Sequence, residues 1–481
     1  MRPYDILILF VILLGSFNVK GQTPKREFRG AWLNTVYQTQ YKRNTTVQNQ
    51  AYLVRQLDSL KTMGINAVFF QVRAQADAFY DSKYEPWSRY LTDGGKAPAP
   101  YWDPLSFMIE EAHRRGMELH AWLNPYRITT SAKQKVPAGH VALRHPERII
   151  RYDGKLYFDP GIPENREYIG KIVDDILARY DVDGIHFDDY FYPYPVRGKV
   201  IADDKTYRKY GGKMKLADWR RHNVDLLIED IHRRISATKP WVRFGVSPFG
   251  IWRNKKSDPR GSETSGLENY DGLYADVLKW EEKGWVDYII PQLYWELDHK
   301  SASYSVLLKW WNENAGSKRH VYVGQDVSRT MGERRLKRKI EMTRQANNII
   351  GNCWWPGYAL TRNIENVADS LSSRYQRFPS LVPVYPWIYD GKPEPVEKIS
   401  ISDKTISWDK PIRKDNASDV VRFAIYRFNT IDDIDLDNAE AIVDITGENR
   451  IKATVAGCYV VTAIDRVNNE SEASNPIIIR K

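Results

Sequence analysis

The run Asp183-Gly184-Ile185-His186-Phe187-Asp188-Asp189-Tyr190-Phe191-Tyr192-Pro193 ends a strand-like segment in two adjacent carboxylic acids and a group of aromatic rings. Successive side chains of a strand alternate faces. Ile185 and Phe187 therefore share one face, and Gly184, His186 and Asp188 the other. Acids that pass protons and flat rings that lie against sugars are what cleavage of a glycosidic bond requires. Most glycosidases use a proton donor with a second carboxylate, or with a substrate acetamido group in its place. Asp188 is the first candidate, because its parity points it inward. Asp189 begins on the other face, and a strand ending there can turn it inward; helix capping is its bland alternative. Glu296 is the best acid from a different strand, with a loop salt bridge as its alternative, and Asp326 is next.

Such acids need a scaffold. Strand-like and helix-like segments alternate from about Glu27 to Ser380. Helices closed by Gly64, Gly116 and Gly284 lead into new strands, as glycine suits the left-handed residue that ends a helix. Asp103-Pro104 offers an N-cap followed by Pro at the first helical position. Asp218 to Ile235 places Val224, Leu227, Ile228, Ile231 and Ile235 on one helical face. Eight strands are expected, near Arg29–Asn34, Ala67–Arg73, Leu119–Tyr126, Gly184–Tyr190, Phe244–Phe249, Tyr288–Glu296, Val321–Asp326 and Asn352–Trp355. The fold class is therefore α/β, a (β/α)8 TIM-type barrel with long loops. A doubly wound open sheet is the alternative, but no Gly-rich nucleotide fingerprint follows the first strand.

Inward residues of a barrel alternate with those facing the helices, and active sites sit at the C-terminal ends of the strands. Parity then aims Trp32, Asn34, Gln71, Arg73, Trp122, Asn124, Tyr126, His186, Asp188, Ser247, Gln292, Tyr294, Glu296, Asp326 and Trp354 at a common mouth. Nearly all are polar or aromatic, whereas a floor far from the mouth would be Val, Ile and Leu. Arg73 suits a bidentate clamp on a substrate carboxylate or, equally, a salt bridge. Trp32, Tyr126, Tyr294 and Trp354 suit sugar stacking or hydroxyl binding; Trp122, deeper in its strand, reads as packing. Asn34, Gln71, Asn124, His186 and Gln292 complete the substrate-binding candidates. His120, His186 and Asp188 could meet around a divalent ion, but no His-Glu-x-x-His or paired-Cys motif supports a metal. The Gly-x-Ser-x-Gly elbow of serine nucleophiles is absent. No cofactor is expected.

At 481 residues the chain should hold one large domain and a minor one. Residues 1–21 read as a secretory signal. Arg2 gives the positive start, Ile6 to Leu14 the apolar stretch and Val19-Lys20-Gly21 a cleavage site. The expected location is periplasmic or extracellular, at the cell envelope. An uncleaved anchor is the alternative, although the apolar run is short for a bilayer span. Cys353 and Cys458 are expected buried and free. The formal charge of +10 excludes no soluble class but favours a polyanionic partner. With no aromatic-basic nucleic-acid motif present, an acidic polysaccharide suits better than nucleic acid, and an ordinary basic surface is the bland reading. Residues 381–395 are Pro-rich and read as a linker. Residues 396–481 show short alternating runs, the pattern of a small β-sandwich of the fibronectin type III kind.

The ordered motifs Phe28-Arg29-Gly30-Ala31-Trp32-Leu33-Asn34, Asn66-Ala67-Val68-Phe69-Phe70-Gln71-Val72-Arg73, Ala121-Trp122-Leu123-Asn124-Pro125-Tyr126, Asp183 to Pro193, and Pro291-Gln292-Leu293-Tyr294-Trp295 resemble the bacterial glycosyl-hydrolase-like family ten. The resemblance spans about residues 27–340. It implies a TIM barrel, an exported location and glycoside hydrolysis; at least one member acts on peptidoglycan glycan strands stripped of stem peptides. Such strands carry lactyl carboxylates, which suits a basic chain. A more distant resemblance is to chitinase-type barrels and their fourth-strand pattern Asp-Gly-x-Asp-x-Asp-x-Glu. It implies that Asp188 orients a substrate acetamido group. His186 replaces the inner Asp of that pattern and Tyr190 falls at the proton donor, so the donor role passes to Asp189 or Glu296, or the mechanism differs. A non-catalytic glycan-binding barrel and a metal-dependent deacetylase or hydrolase are the alternatives to a glycosidase.

Overall fold

The computed structural model describes residues 23–411 and 417–480. The expected signal segment lies outside the described residues. Eight parallel strands close a barrel: β1 (Phe28–Leu33), β2 (Ala67–Arg73), β3 (Glu118–Leu123), β4 (Gly184–Phe187), β5 (Arg243–Val246), β6 (Tyr288–Ile289), β7 (His320–Asp326) and β8 (Ile349–Trp355). Each pairs with the next, and β8 returns to β1 through Ala31 opposite Trp354. The expected α/β barrel is therefore the observed one.

The local signals act as their chemistry requires. Gly64, Gly116 and Gly284 adopt φ of +75°, +71° and +69° after their helices. The Asp103 carboxylate accepts hydrogen bonds from the backbone N–H groups of Leu105 and Ser106 at 2.9 and 3.2 Å, capping the helix Pro104–Arg114. The helix Leu216–Thr238 buries Val224, Leu227, Ile228, Ile231 and Ile235 against the sheet. Burying each such side chain is worth about 1.5–3 kcal/mol.

The barrel interior departs from the expected aliphatic filling. Phe28, Phe69, Tyr288 and Tyr322 fill it, with the Phe28 and Tyr322 rings stacked at 3.8 Å. Glycines facing inward make the room. A Cβ on Gly184 would lie 2.2 Å from His120 Nδ1, and one on Gly245 2.0 Å from the Tyr288 ring.

Two antiparallel sheets follow the barrel. One joins β9 (Glu397–Ser402), β10 (Thr405–Asp409) and β13 (Arg450–Lys452). The other joins β11 (Val420–Phe428), β12 (Ile442–Thr446), β14 (Gly457–Asp465) and β15 (Ile477–Ile479). The Pro-rich connection is pinned to the barrel. Tyr385 is buried, its hydroxyl 2.8 Å from that of Tyr322, and Trp387 Nε1 donates to Asp287 at 2.8 Å.

This C-terminal part stoppers the N-terminal end of the barrel. Arg422, 3% exposed, donates to Asp183 at 3.3 Å and to Glu118 at 3.4 Å. Arg243 pairs with the same Glu118 oxygen at 2.5 Å, and Asn468 Nδ2 donates to it at 3.0 Å. Cys353 and Cys458 are buried and free, as expected. Among the described residues no helix is long and apolar enough to cross a membrane.

Candidate active site

At the C-terminal end of the barrel a cavity of about 240 Å³ opens over Asp188 and Asp189. Trp32 from β1, Trp122 from β3 and Trp355 from β8 form one side. Tyr190, Tyr194, Ser247, Gln292 and Tyr294 form the rest.

Asp188 is held by a network whose direction is fixed. Gln71 Oε1 accepts the backbone N–H groups of Thr35 and Val36, both at 3.0 Å. Its amide nitrogen therefore donates to Asn124 Oδ1 at 2.9 Å. Arg127 donates to the same oxygen at 3.0 Å. With its oxygen so occupied, Asn124 must present Nδ2 to Asp188 Oδ2, at 2.9 Å. Asp188 Oδ1 accepts the Asp189 backbone N–H at 2.8 Å and lies 3.4 Å from Gln292 Nε2. Replacing Asn124 by leucine leaves Gln71, Arg127 and Asp188 each short of a partner. A lost partner for a buried polar group costs about 1–3 kcal/mol, so glycan turnover should fall by about 10–100-fold. Steady-state kinetics on a folded variant checks this, and an unchanged kcat would remove Asn124 from the positioning of Asp188.

Asp189 differs from its neighbour. Burial, and then the adjacent Asp188, push its carboxyl well above the usual carboxylate range. The Tyr194 hydroxyl donates to its Oδ2, leaving Oδ1 as the oxygen that can carry the proton. A buried acid whose pKa is raised beside a second carboxyl group is suited to general acid catalysis.

A polar column runs down the barrel axis beneath the cavity. Burial pushes the Glu118 carboxyl upward, but Arg243 and the His120 hydrogen bond outweigh it and hold the group at about 2. His120 Nε2–H donates to this ionised carboxylate at 3.0 Å. His120 Nδ1 then accepts from the Tyr288 hydroxyl at 2.8 Å. Tyr288 can in turn accept from His186 Nδ1–H at 3.3 Å. That leaves His186 Nε2 as acceptor for Trp32 Nε1 at 3.3 Å and for the Ser247 hydroxyl at 3.1 Å. Burial keeps His186 well below its ordinary pKa, so it stays neutral. His186 thus orients the Trp32 ring and Ser247. Both nitrogens of His120 and of His186 are engaged in these bonds, and among the described residues no group of three His, Cys, Asp or Glu side chains is placed to hold a metal ion.

Of the expected site residues, Asp188, Asp189, Trp32, Gln292 and Tyr294 line the cavity, and Gln71, Asn124 and His186 stand directly behind them. Others do not reach it. Arg73 is 1% exposed and its fork grips Glu85 with two bonds of 2.7 Å, so the salt bridge replaces the substrate clamp. A register shift between Gln71 and Arg73 breaks the parity there. Trp354 packs outward among the helices and Trp355 faces the cavity, after a shift between Ile349 and Asn352. Trp122 forms part of the cavity wall instead of serving only as packing. Tyr126 is fully buried in the outer core. Asn34 donates to Val36 O at 2.9 Å, outside the cavity. Asp326 caps the following short helix by accepting from Arg329 N at 2.7 Å.

Glu296 also lies away from the cavity, 3.9 Å from His299 and beside Glu333. Regular pairing of β6 stops at Ile289, before Pro291, which has no N–H to offer a neighbour. Counting alternate faces onward to residue 296 therefore fails. Tyr194, Trp355 and Arg127 escaped sequence reasoning. The aromatic run after Asp189 is the signal that could have found Tyr194.

Residues 27–338 match the family model described as Glycosyl hydrolase-like 10. The chain is 37% identical over 504 residues to glycosyl hydrolase YngK of Bacillus subtilis (strain 168), covering 98% of each. It is 42% identical over 327 residues to glycosyl hydrolase DigH of Escherichia coli (strain K12), covering 63% of this chain and 74% of that protein. The solved PgaB (BpsB) glycoside hydrolase domain from Bordetella bronchiseptica aligns at 13% identity and TM-score 0.47, over 73% of this chain and 99% of that one. The chain belongs to the glycosyl hydrolase-like 10 family, and its barrel is a glycosidase fold.

Proposed function

We propose that the protein is an exported glycoside hydrolase that cleaves a cell-envelope polysaccharide, namely peptidoglycan glycan strands stripped of their peptides. The observation that carries this reading is the Asp188–Asp189 pair at the cavity, one acid wired to Asn124 and Gln292 and the other with its carboxyl pKa pushed upward by burial and by its neighbour. Asp189 protonates the leaving oxygen. Asp188 steers the substrate acetamido group or the positive charge that develops on the sugar. Trp32, Trp122, Trp355 and Tyr294 supply ring faces to the saccharide. The relatives named glycosyl hydrolases support the activity, and the signal-like residues 1–21 support export. The C-terminal sheets are read as a fibronectin type III-like module that bases the barrel.

The test is incubation of the purified protein with denuded glycan strands. A hydrolase releases new reducing ends. Tyr190, at the position where a chitinase-type donor would stand, favours the second reading of a barrel that only binds glycan. A pure binder would sediment with the strands and release none.

A further inference from the structure

A second cavity, of about 310 Å³, lies on the same face as the catalytic one, built by the loops that follow β1, β2 and β3. The two are neighbours across a thin wall. Arg127 donates to Ala74 O at 2.8 Å and lies 4.7 Å over the Tyr190 ring. Tyr190 lines the catalytic cavity, while Gln75, Ala76 and Ile128, adjoining Ala74 and Arg127 in the chain, line the second one.

The chemistry of the two cavities is complementary. Among the described residues no Lys or Arg lines the catalytic cavity, so it offers an acidic sugar substituent no cation beside Asp188 and Asp189. The second cavity gathers three cations, Lys42, Arg89 and Lys135, with two acids, Asp77 and Asp93. Lys42 is ion-paired with Asp93, but among the described residues neither Arg89 nor Lys135 meets a carboxylate. At its base Gln75 Oε1 has no hydrogen-bond partner and Asp77 Oδ1 has only the Ser88 side chain near it, on residues 2% and 6% exposed. Gln75 Nε2 and the Arg89 backbone N–H both donate to the other Asp77 oxygen, at 2.8 and 3.1 Å, so the carboxyl is fixed in place. Buried acceptors without partners are costly. They suit a ligand that brings hydroxyl or amide N–H donors, while the free cations at the rim suit a carboxylate. A sugar acid brings both.

We infer that this cavity is a remote subsite that binds a carboxylate-bearing sugar of the glycan, with Arg89 and Lys135 on the carboxylate and Gln75 and Asp77 on its hydroxyl or amide donors. The inference rests on the glycan-hydrolase reading and assigns to this cavity the anionic recognition that Arg73 cannot supply.

The experiment compares denuded glycan strands with the same strands after their carboxylates are converted to amides. Wild-type protein should show a KM about tenfold higher on the amidated strands, the scale of two partly exposed ion pairs. The double variant R89Q/K135Q should show that higher KM on both strands, with kcat unchanged. Both side chains are exposed, so the fold is not at risk. Cosedimentation of each protein with each strand gives affinity without any need for cleavage. Cleavage with equal KM on the two strands, or a double variant that keeps the wild-type KM on carboxylated strands, overturns the subsite and leaves the hydrolase reading intact. Carboxylate-dependent cosedimentation that the double variant loses, without cleavage, supports the subsite and overturns the hydrolase reading. Neither binding nor cleavage overturns both.

Discussion

Replacing Asp189 by asparagine is expected to lower glycan cleavage by about 10²–10⁴-fold, the usual contribution of a positioned acid. The amide fits the site. Its oxygen still accepts from the Tyr194 hydroxyl, and its nitrogen can face Asp188 where the carboxyl proton did. The loss therefore reports chemistry and not collapse. Asp188→Asn should be as damaging, because the amide carries no charge for the developing cation or the acetamido group. The pH dependence separates the two roles. Wild-type activity should fall as pH rises through the raised pKa of Asp189, since the acid must hold its proton to donate it. Stability gives an independent check. Unfolded, this Asp ionises near the ordinary value of about 3.9. Folded, it retains its proton to higher pH, so the native state is penalised as pH climbs above that value. Asp189→Asn removes the penalty, and the variant should melt a few degrees above wild type at neutral pH and level with it near pH 3. Full activity in Asp189→Asn, or a lower melting temperature at neutral pH, would sink the assignment of Asp189 as the proton donor.

The parts of this site that were legible in the sequence are those where a strand runs straight. Gly184 to Phe187 alternate faces without interruption, and Asp188 follows in step. Gln71, Asn124, His186 and Gln292 were likewise found by parity, because β1 to β4 keep their pairing up to those residues or regain it by a single bridge, as Gln292 does with Phe249 and Gly324. The errors at Arg73, Trp354 and Glu296 share one cause, an interruption of the ladder before the residue. Alternation counts residues and cannot see an extra one inserted in a ladder, which moves every later side chain to the other face. Arg73 and Trp354 each lie beyond such a shift, and Glu296 lies beyond Pro291. Salt bridges to loops are equally invisible. Glu85 lies twelve residues after Arg73 in an irregular segment, and nothing in its spacing foretells a paired fork. The union of the two domains was hidden for the same reason. Glu118 and Arg243 have inward parity at the starts of their strands, but their third partner, Arg422, arrives from a separate sheet.

That buried charge cluster should be the most sensitive point of the fold. Glu118 and Arg243 are fully buried, and Asp183 and Arg422 nearly so. Removing one partner from a buried ion pair strands the other and costs about 3–5 kcal/mol. Arg422→Ala leaves Asp183 to His113, at 2.7 Å, and Glu118 to Arg243, so the lower end of that range is expected, about 3 kcal/mol. The loss should fall on the barrel as well as on the C-terminal sheets, because Arg422 reaches the floor on which the column from Glu118 to His186 stands. Denaturant unfolding followed by tryptophan fluorescence measures it. The effect should also depend on pH with a definite sign. Burial raises the Asp183 carboxyl, but His113 and the two arginines overcome this and hold it well below its ordinary value, while Glu118 is held at about 2. Carboxyls with depressed folded pKa values stabilise the native state above their unfolded values near pH 4 and lose that contribution as pH falls through the folded ones. The gap between wild type and Arg422→Ala should therefore be full at neutral pH and shrink between about pH 4 and pH 2. A gap that is absent at pH 7, or constant down to pH 2, would show that the arginine fills space at the domain contact without its charge holding the barrel closed.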